Sequence, residues 1–275
     1  MRKTLFLLFA AITTLPFASF GKEIKKSKTK RVPISSTVSL FGNFNSAKFD
    51  FATKPDLTTT KTSTVNFGVE VTLDFYVLPH NMYLTTGIRL ADASCQVQVG
   101  TNVPGLDPQQ TYNSYDLTYG HYSIPVRVGK TFKFSKKSDA HFNVFAGGSF
   151  GISMLESVST YGSLVPSSPD GEEVSSGSST PDFKGSKFYS SADLGFRIAP
   201  FNRPNFSFGV MASFDLTKSG QFSSTGYFSN DTKKLRSDYV LQSNPQFFNL
   251  MLSVDYTIGK SWKQMLRSAP AMCQK

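Results

Sequence analysis

From Val65 onward the chain alternates strictly. Val65, Phe67, Val69, Val71, Leu73, Phe75 and Val77 are apolar, and Asn66, Gly68, Glu70, Thr72, Asp74 and Tyr76 lie between them. At 39% apolar composition, seven such matches in a row arise by chance roughly once in seven hundred trials, so the period of two marks a strand with one oily and one polar face. The pattern recurs in Phe206, Phe208, Val210, Ala212, Phe214 and Leu216, and in Phe248, Leu250, Leu252, Val254, Tyr256 and Ile258. Phe188, Ala192, Leu194, Phe196 and Ile198 oppose Tyr189, Ser191, Asp193, Gly195 and Arg197; Tyr122, Ile124, Val126 and Val128 oppose Ser123, Arg127 and Thr131. Segments near Ile34 to Asn45 and Met82 to Gly100 alternate less cleanly. The segment from His141 to Val158 places Phe145 on its otherwise small and polar side.

These segments predict eight strands, at about 34–45, 64–77, 82–100, 112–134, 141–158, 185–199, 205–222 and 246–259. Each is long enough to cross a hydrocarbon layer, which takes about ten residues at a tilt of roughly 45°. The links between them alternate in length. Leu78 to Asn81, Ser135 to Ala140 and Pro200 to Pro204 are tight turns, whereas 46–63, 101–111, 159–184 and 223–245 are long and rich in Ser, Thr, Gly, Pro and Asn. Short turns at one end and long loops at the other characterise an antiparallel eight-stranded transmembrane β-barrel, with the turns periplasmic and the loops outside the cell. The loop from Ser159 to Lys184, with three prolines and a Ser-Ser-Gly-Ser-Ser run, is expected to stay mobile.

The N-terminal segment fits export. Arg2 and Lys3 precede an apolar run from Leu5 to Leu15, and small residues Ala18, Ser19 and Gly21 precede Lys22, the layout of a signal peptide spanning 1–21. A basic leader follows at 22–33, where Lys22, Lys25, Lys26, Lys28, Lys30 and Arg31 face one acid, Glu23. The barrel is expected over 34–259, with a basic tail at 260–275. With Lys133, Lys136, Lys137 and Arg203 at the short turns, these segments make the periplasmic rim positive, a surface for anionic headgroups or an acidic protein partner. Outer-membrane lipid is the expected surrounding and nucleic acid is not an expected partner of an exported chain. A monomer is expected. Cys95 and Cys273 fall at opposite ends of this topology, so no disulfide is expected between them.

Tyr122-Ser-Ile-Pro-Val-Arg-Val-Gly-Lys, followed after a turn by Phe142-Asn-Val-Phe-Ala-Gly-Gly-Ser-Phe-Gly, resembles a signature of the PorT-like outer-membrane β-barrel family of Bacteroidota. The match covers these two strands. The resemblance implies an eight-stranded barrel with a periplasmic N-terminus and outward loops, and it allows a role in secretion or envelope assembly; it carries no reaction and no ligand, since members of the family are diverse. One departure is the C-terminus, since such barrels often finish on an aromatic residue and here about sixteen residues follow the last strand.

An eight-stranded barrel is just wide enough for side chains to fill. Glu70, Asp74, Asp193, Asp215 and Asp255 share the inward parity with Arg89, Arg127 and Arg197, so charges of both signs are expected to pair as a lumen network. No catalytic set, metal-ligand spacing, cofactor-binding motif or phosphate-cradling loop is present, and Gly147, Gly148 and Gly151 suit close packing in a barrel wall. Three histidines occur, His80, His121 and His141; His121 shares the inward parity of Ser123 and has Asp116 nearby. The leading expectation is a non-enzymatic binding or structural component of the envelope. The alternatives are a membrane-embedded hydrolase or acyltransferase using His121, and a narrow pore.

Overall fold

Alternation of this kind produces strands that bury one face, and the computed structural model places them in a ring. It describes residues 34–48, 57–62, 64–76, 78, 81–101, 112–134, 140–162, 174–178, 182–184, 187–200 and 205–258. The strands are β1 (Ile34–Lys48), β2 (Leu57–Thr62), β3 (Thr64–Phe75), β4 (Met82–Thr101), β5 (Tyr112–Lys133), β6 (His141–Gly162) and β7 (Val174–Ser178), then β8 (Asp182–Lys184), β9 (Lys187–Ala199), β10 (Phe206–Asp215), β11 (Gln221–Asn230), β12 (Leu235–Ser243) and β13 (Gln246–Ile258). Eight of them hydrogen-bond in the order β4, β3, β1, β13, β10, β9, β6, β5, and β5 pairs back to β4. The protein is therefore an all-β, eight-stranded antiparallel barrel, closed so that this layer has no free edge.

Sidedness follows the pattern of the chain. Along β3, β10 and β13 the apolar set points outward and the polar set is buried in the lumen, as with Glu70, Thr72 and Asp74 inside and Val65 and Phe67 outside. The outward apolar run on most strands is about eleven residues, which at roughly 3.3 Å per residue and a 45° tilt spans about 25 Å, the height of a lipid-facing band. Aromatic pairs sit at both margins of the band: Phe132 on Phe142 (4.8 Å) and Phe206 on Tyr256 (5.1 Å) near the short turns, and Phe214 on Phe248 (4.6 Å) near the long loops. Such rings suit the two interfaces of a membrane. Asn81, with φ of 61°, takes the left-handed conformation that closes the turn between β3 and β4, and its carbonyl accepts from Thr131 N.

On β4, β5 and β6 the polarity reverses partway up. Lower β5 shows Ile124, Val126 and Val128 outside and Ser123 and Arg127 inside; above His121 the inward residues become Tyr119, Leu117 and Tyr115, and Thr118 and Asp116 face out. On β4 the change falls near Ala91, above which Ala93, Cys95, Val97 and Val99 are inward and buried while Asp92 is exposed. This reversal marks where lipid gives way to water. A bulge between Thr118 and Tyr119 in the pairing of β5 with β6 lies at the same height and keeps Val158 inward opposite Leu117.

The long links are not featureless, which corrects two expectations. The segment expected as one strand over 205–222 stops at Asp215, opposite Ser191, although β9 extends on to Lys187. Leu216 N still donates to the Ser190 carbonyl, but Ser190 N is taken by the Thr217 hydroxyl in place of a backbone carbonyl, and the chain turns in and restarts as β11. The links expected as loops at 159–184 and 223–245 carry β7, β8, β11 and β12, which form a second, four-stranded sheet with β11 at its centre. The Ser-Ser-Gly-Ser run forms β7, since its backbone groups find partners on β11. This sheet packs Phe222, Phe228, Tyr239 and Leu241 against Val97, Val99, Tyr115, Leu117 and Tyr119 of the upper wall, with Phe247 at the base. The result is a β-sandwich standing on the barrel and capping its mouth. The leader, the tail with Cys273, and Lys136, Lys137 and Arg203 lie outside the described residues.

Gly147 sits where the wall strands approach closely, and a Cβ there would lie 2.2 Å from the Val126 carbonyl oxygen. Gly147→Val is expected to cost about 1–3 kcal/mol or to block folding, read as loss of the heat-modifiable band on unboiled gels. In the cap, Leu241→Ala is expected to cost about 2–5 kcal/mol. Its effect should appear as faster hydrogen exchange in β11 and β12 with β9 and β10 unchanged.

Candidate functional site

The lumen draws one charged or polar side chain after another from the inward parity of successive strands. Glu70 on β3, Arg89 on β4, Arg127 on β5, Asp193 and Arg197 on β9 and Asp255 on β13 are all buried. Glu70 accepts from Arg89 Nε at 2.8 Å, from Arg127 Nη2 at 2.5 Å and Nη1 at 2.8 Å, and from Arg197 Nη2 at 3.4 Å. Asp193 accepts from Arg89 Nη2 at 2.7 Å and from Arg127 Nε at 3.1 Å; Arg197 Nε reaches Asp255 at 3.2 Å. Three arginines thus meet three carboxylates, and the cluster is neutral as a unit.

The remaining lone pairs of Asp193 are taken by hydroxyls. Ser149 donates at 2.8 Å, Ser191 at 3.1 Å and Ser213 at 2.7 Å. Charges withdrawn from water this far persist only when nearly every donor and acceptor finds a partner, and this carboxylate has several. Phe145 explains its place on the polar side: the guanidinium carbons of Arg127 and Arg197 each lie 5.2 Å from its ring centroid. The ring gives two like charges a partner that is not another cation. Between Phe41, Phe145, Glu70, Arg197, Met211 and Met251 the packing leaves about 10 Å³, room for about one water molecule.

Two other inward acids stand apart from this cluster. Asp74, nearer the short turns, accepts from Thr85 Oγ1 at 2.5 Å. Asp215, at the top of β10, accepts from Phe247 N at 3.1 Å and ties the first turn of the cap to the foot of β13. The eight residues singled out in the chain therefore divide into a packed group of six and one acid near each end of the lumen. The chain marks Phe145 as an aromatic ring on a polar side without showing what it meets, and the serines that complete the group carry no signal beyond the parity of Ser149, Ser191 and Ser213 beside Asp193.

His121 lies 3% exposed at the seam between charged lumen and apolar cap, stacked on Tyr189 at 4.4 Å and edge-on to Phe247 at 5.7 Å. Its Nε2 is 3.5 Å from Ser219 Oγ, while Asp116 faces the other side of β5. Ser219 N donates to the Pro245 carbonyl, so this histidine touches both arms of the hairpin that forms the cap. The geometry is that of a packing residue. Higher in the cap, Tyr239 OH accepts from Asn113 Nδ2 at 2.8 Å and hydrogen-bonds Tyr115 OH at 2.7 Å, which gives both tyrosine hydroxyls partners within a largely apolar core. Among the described residues no group of three His, Cys, Asp or Glu is placed to hold a metal ion.

Asp193→Ala removes the carboxylate that two arginines and three serines share. It is expected to destabilise the barrel by about 3–5 kcal/mol, measured as the shift in urea midpoint of refolding into lipid vesicles. Asp74→Asn, outside the cluster, is expected to shift that midpoint by less than half as much.

No family model matches this chain, and no curated protein matches it. Among solved structures it is similar to the outer membrane protein OprG from Pseudomonas aeruginosa, at 10% identity over 86% of this chain and 100% of that one, with a TM-score of 0.42. It is also similar to Ail, the attachment invasion locus protein of Yersinia pestis, solved in complex with a heparin analogue, at 10% identity over 82% of this chain and 99% of that one, with a TM-score of 0.32. Neisserial surface protein A is similar at 11% identity over 80% of this chain and 96% of that one, with a TM-score of 0.29. Of the three, OprG is described as an outer membrane protein and the third as a surface protein; the likeness adds nothing about role, and the architecture rests on the hydrogen-bonded ring itself.

Proposed function

We propose that the protein is a non-enzymatic component of a bacterial outer membrane, exported by its 1–21 segment, with its short turns in the periplasm and its sandwich outside. Its task in this reading is to present the sandwich to a partner, as a binding or structural element of the envelope and, following the resemblance of β5 and β6, as a PorT-like accessory of secretion or assembly. One observation carries the reading: the lumen is filled by a neutral, mutually bonded charge cluster, and the built surface lies in the sandwich above the lipid band. A filled lumen does not favour solute passage. Lys130, whose Nζ stands 5.2 Å over the Phe132 ring at the short-turn interface, supports a basic inner rim against anionic headgroups.

Side and partner are tested with the same positions. With Ser157→Cys on the exposed upper wall and Phe134→Cys beyond β5, an impermeant maleimide is expected to label the first in intact cells and the second only after permeabilisation. The reverse pattern would invert the topology. A photo-crosslinking residue at position 157 is expected to give a discrete adduct with an envelope protein, and an adduct-free blot would remove the binding role. In planar bilayers the wild type is expected to be electrically silent.

A further inference from the structure

The cap sheet ends on a strand whose outer edge carries a self-complementary charge pattern. Among the described residues β12 pairs only with β11, so its other edge has no strand partner. Such an edge is a template for another strand unless it is blunted. Arg236 and Asp238 stand side by side on the exposed face of β12, 60% and 59% exposed, with Arg236 Nε 2.9 Å from Asp238 Oδ1. The Arg236 guanidinium also lies 4.3 Å over the ring of Tyr227, which holds it in place on the sheet face. Leu235 and Val240 of the same strand are exposed apolar residues in a part of the molecule that stands in water.

An Arg-x-Asp strand forms two ion pairs with a copy of itself in one arrangement only. Antiparallel pairing about a two-fold axis at Ser237 sets each Arg236 directly opposite the other copy's Asp238, two cross-strand ion pairs for one axis. Parallel pairing in register instead sets Arg236 against Arg236 and Asp238 against Asp238, which repels. The orientation of β12 decides what this means. Phe247, at the foot of the hairpin, packs 5.6 Å from Tyr119, whereas Tyr239 reaches Tyr115 and Asn113 near the far end of β5. The strand therefore points away from the barrel, with the hairpin turn at Asp231 to Lys234 as its distal tip.

Copies in one membrane share one orientation and meet at this edge in parallel. Copies in two facing membranes meet antiparallel. The axis at Ser237 lies only three residues from the turn, so two facing copies overlap at their tips, from Leu235 to Tyr239, and keep their membranes apart. An axis at the middle of the strand would use a longer overlap, but it sets Asp238 against Val240 and Arg236 against Gln242 and loses both ion pairs.

We infer that β12 is a homotypic docking edge, whose partner is the same strand of a second copy carried by an opposing membrane. The inference deepens the proposed binding role and rests on the sandwich standing clear of the lipid. It is tested with full-length protein refolded into unilamellar vesicles, clustering being followed by light scattering. Wild-type vesicles are expected to cluster, and to disperse at high salt as exposed ion pairs are screened.

Arg236→Asp and Asp238→Arg are each expected to reduce clustering to the level of protein-free vesicles, since each sets like charges across the axis. Mixing the two variant populations is expected to restore it, as is the double exchange of both residues in one chain. Dispersed wild-type vesicles, or single variants that cluster as well as the wild type, would overturn the inference. Both side chains are solvent-exposed, so unchanged heat-modifiable mobility verifies folding in every variant. The vesicles are formed around the protein by detergent removal so that a share of the copies carries the cap outside, and labelling of Ser157→Cys by an impermeant maleimide measures that share; the result is independent of which side faces out of the cell.

Discussion

In a hydrocarbon layer no water is present to satisfy peptide groups, so every backbone donor and acceptor that meets lipid must be paired within the protein. The return of β5 to β4 meets that requirement, and much else follows from it. Once the ring is closed, alternate residues can point only to lipid or to the lumen, and the chain's period of two becomes a division between an apolar outside and a polar inside. A lumen of eight strands is too narrow to hold bulk water around eight ionisable side chains. The charges must then neutralise one another, and the three arginines and three carboxylates at the centre do so.

The same strands solve a different problem above the lipid. Outside the membrane the peptide groups can be hydrated and the hydrophobic effect acts again, so the inner face becomes apolar and the outer face polar. The wall of β4, β5 and β6 needs a second layer to bury that face, and the hairpin of β11 and β12 supplies it. His121 and Asp215 lie at the seam of the two regimes, where an aromatic stack and a backbone amide donating to a carboxylate join the charged lumen to the cap.

The closed barrel was legible in the chain because β3, β10 and β13 keep one sidedness over their whole length. β4 was less legible for a physical reason: its oily residues change sides near Ala91, so a single alternation fitted to Met82 through Gly100 averages two opposite patterns. The bulge beside Glu156 blurs β6 in the same way. The cap was missed although Phe222, Phe228, Tyr239 and Leu241 carry it, because its core is shared between segments far apart and neither half shows a long run of its own. All eight inward charges could be placed by parity alone. Which of them meet depends on strand stagger and side-chain reach, and parity does not encode either; Phe145 looked out of place until two arginines were found on its ring.

The cap's core also bears on how the molecule is assembled. It joins Ala93 to Val158 on one side with Phe222 to Phe247 on the other, so its contacts close loops of about a hundred residues and belong to the slow, high-contact-order class. Until β11 and β12 arrive, Val97, Val99, Leu117 and Tyr119 form a bare greasy concavity at the top of a nearly finished cylinder. An unfinished molecule is therefore stickiest at the end that will later stand in water, and a periplasmic escort that shields that end until the final hairpin docks would protect the chain where it is most prone to aggregate.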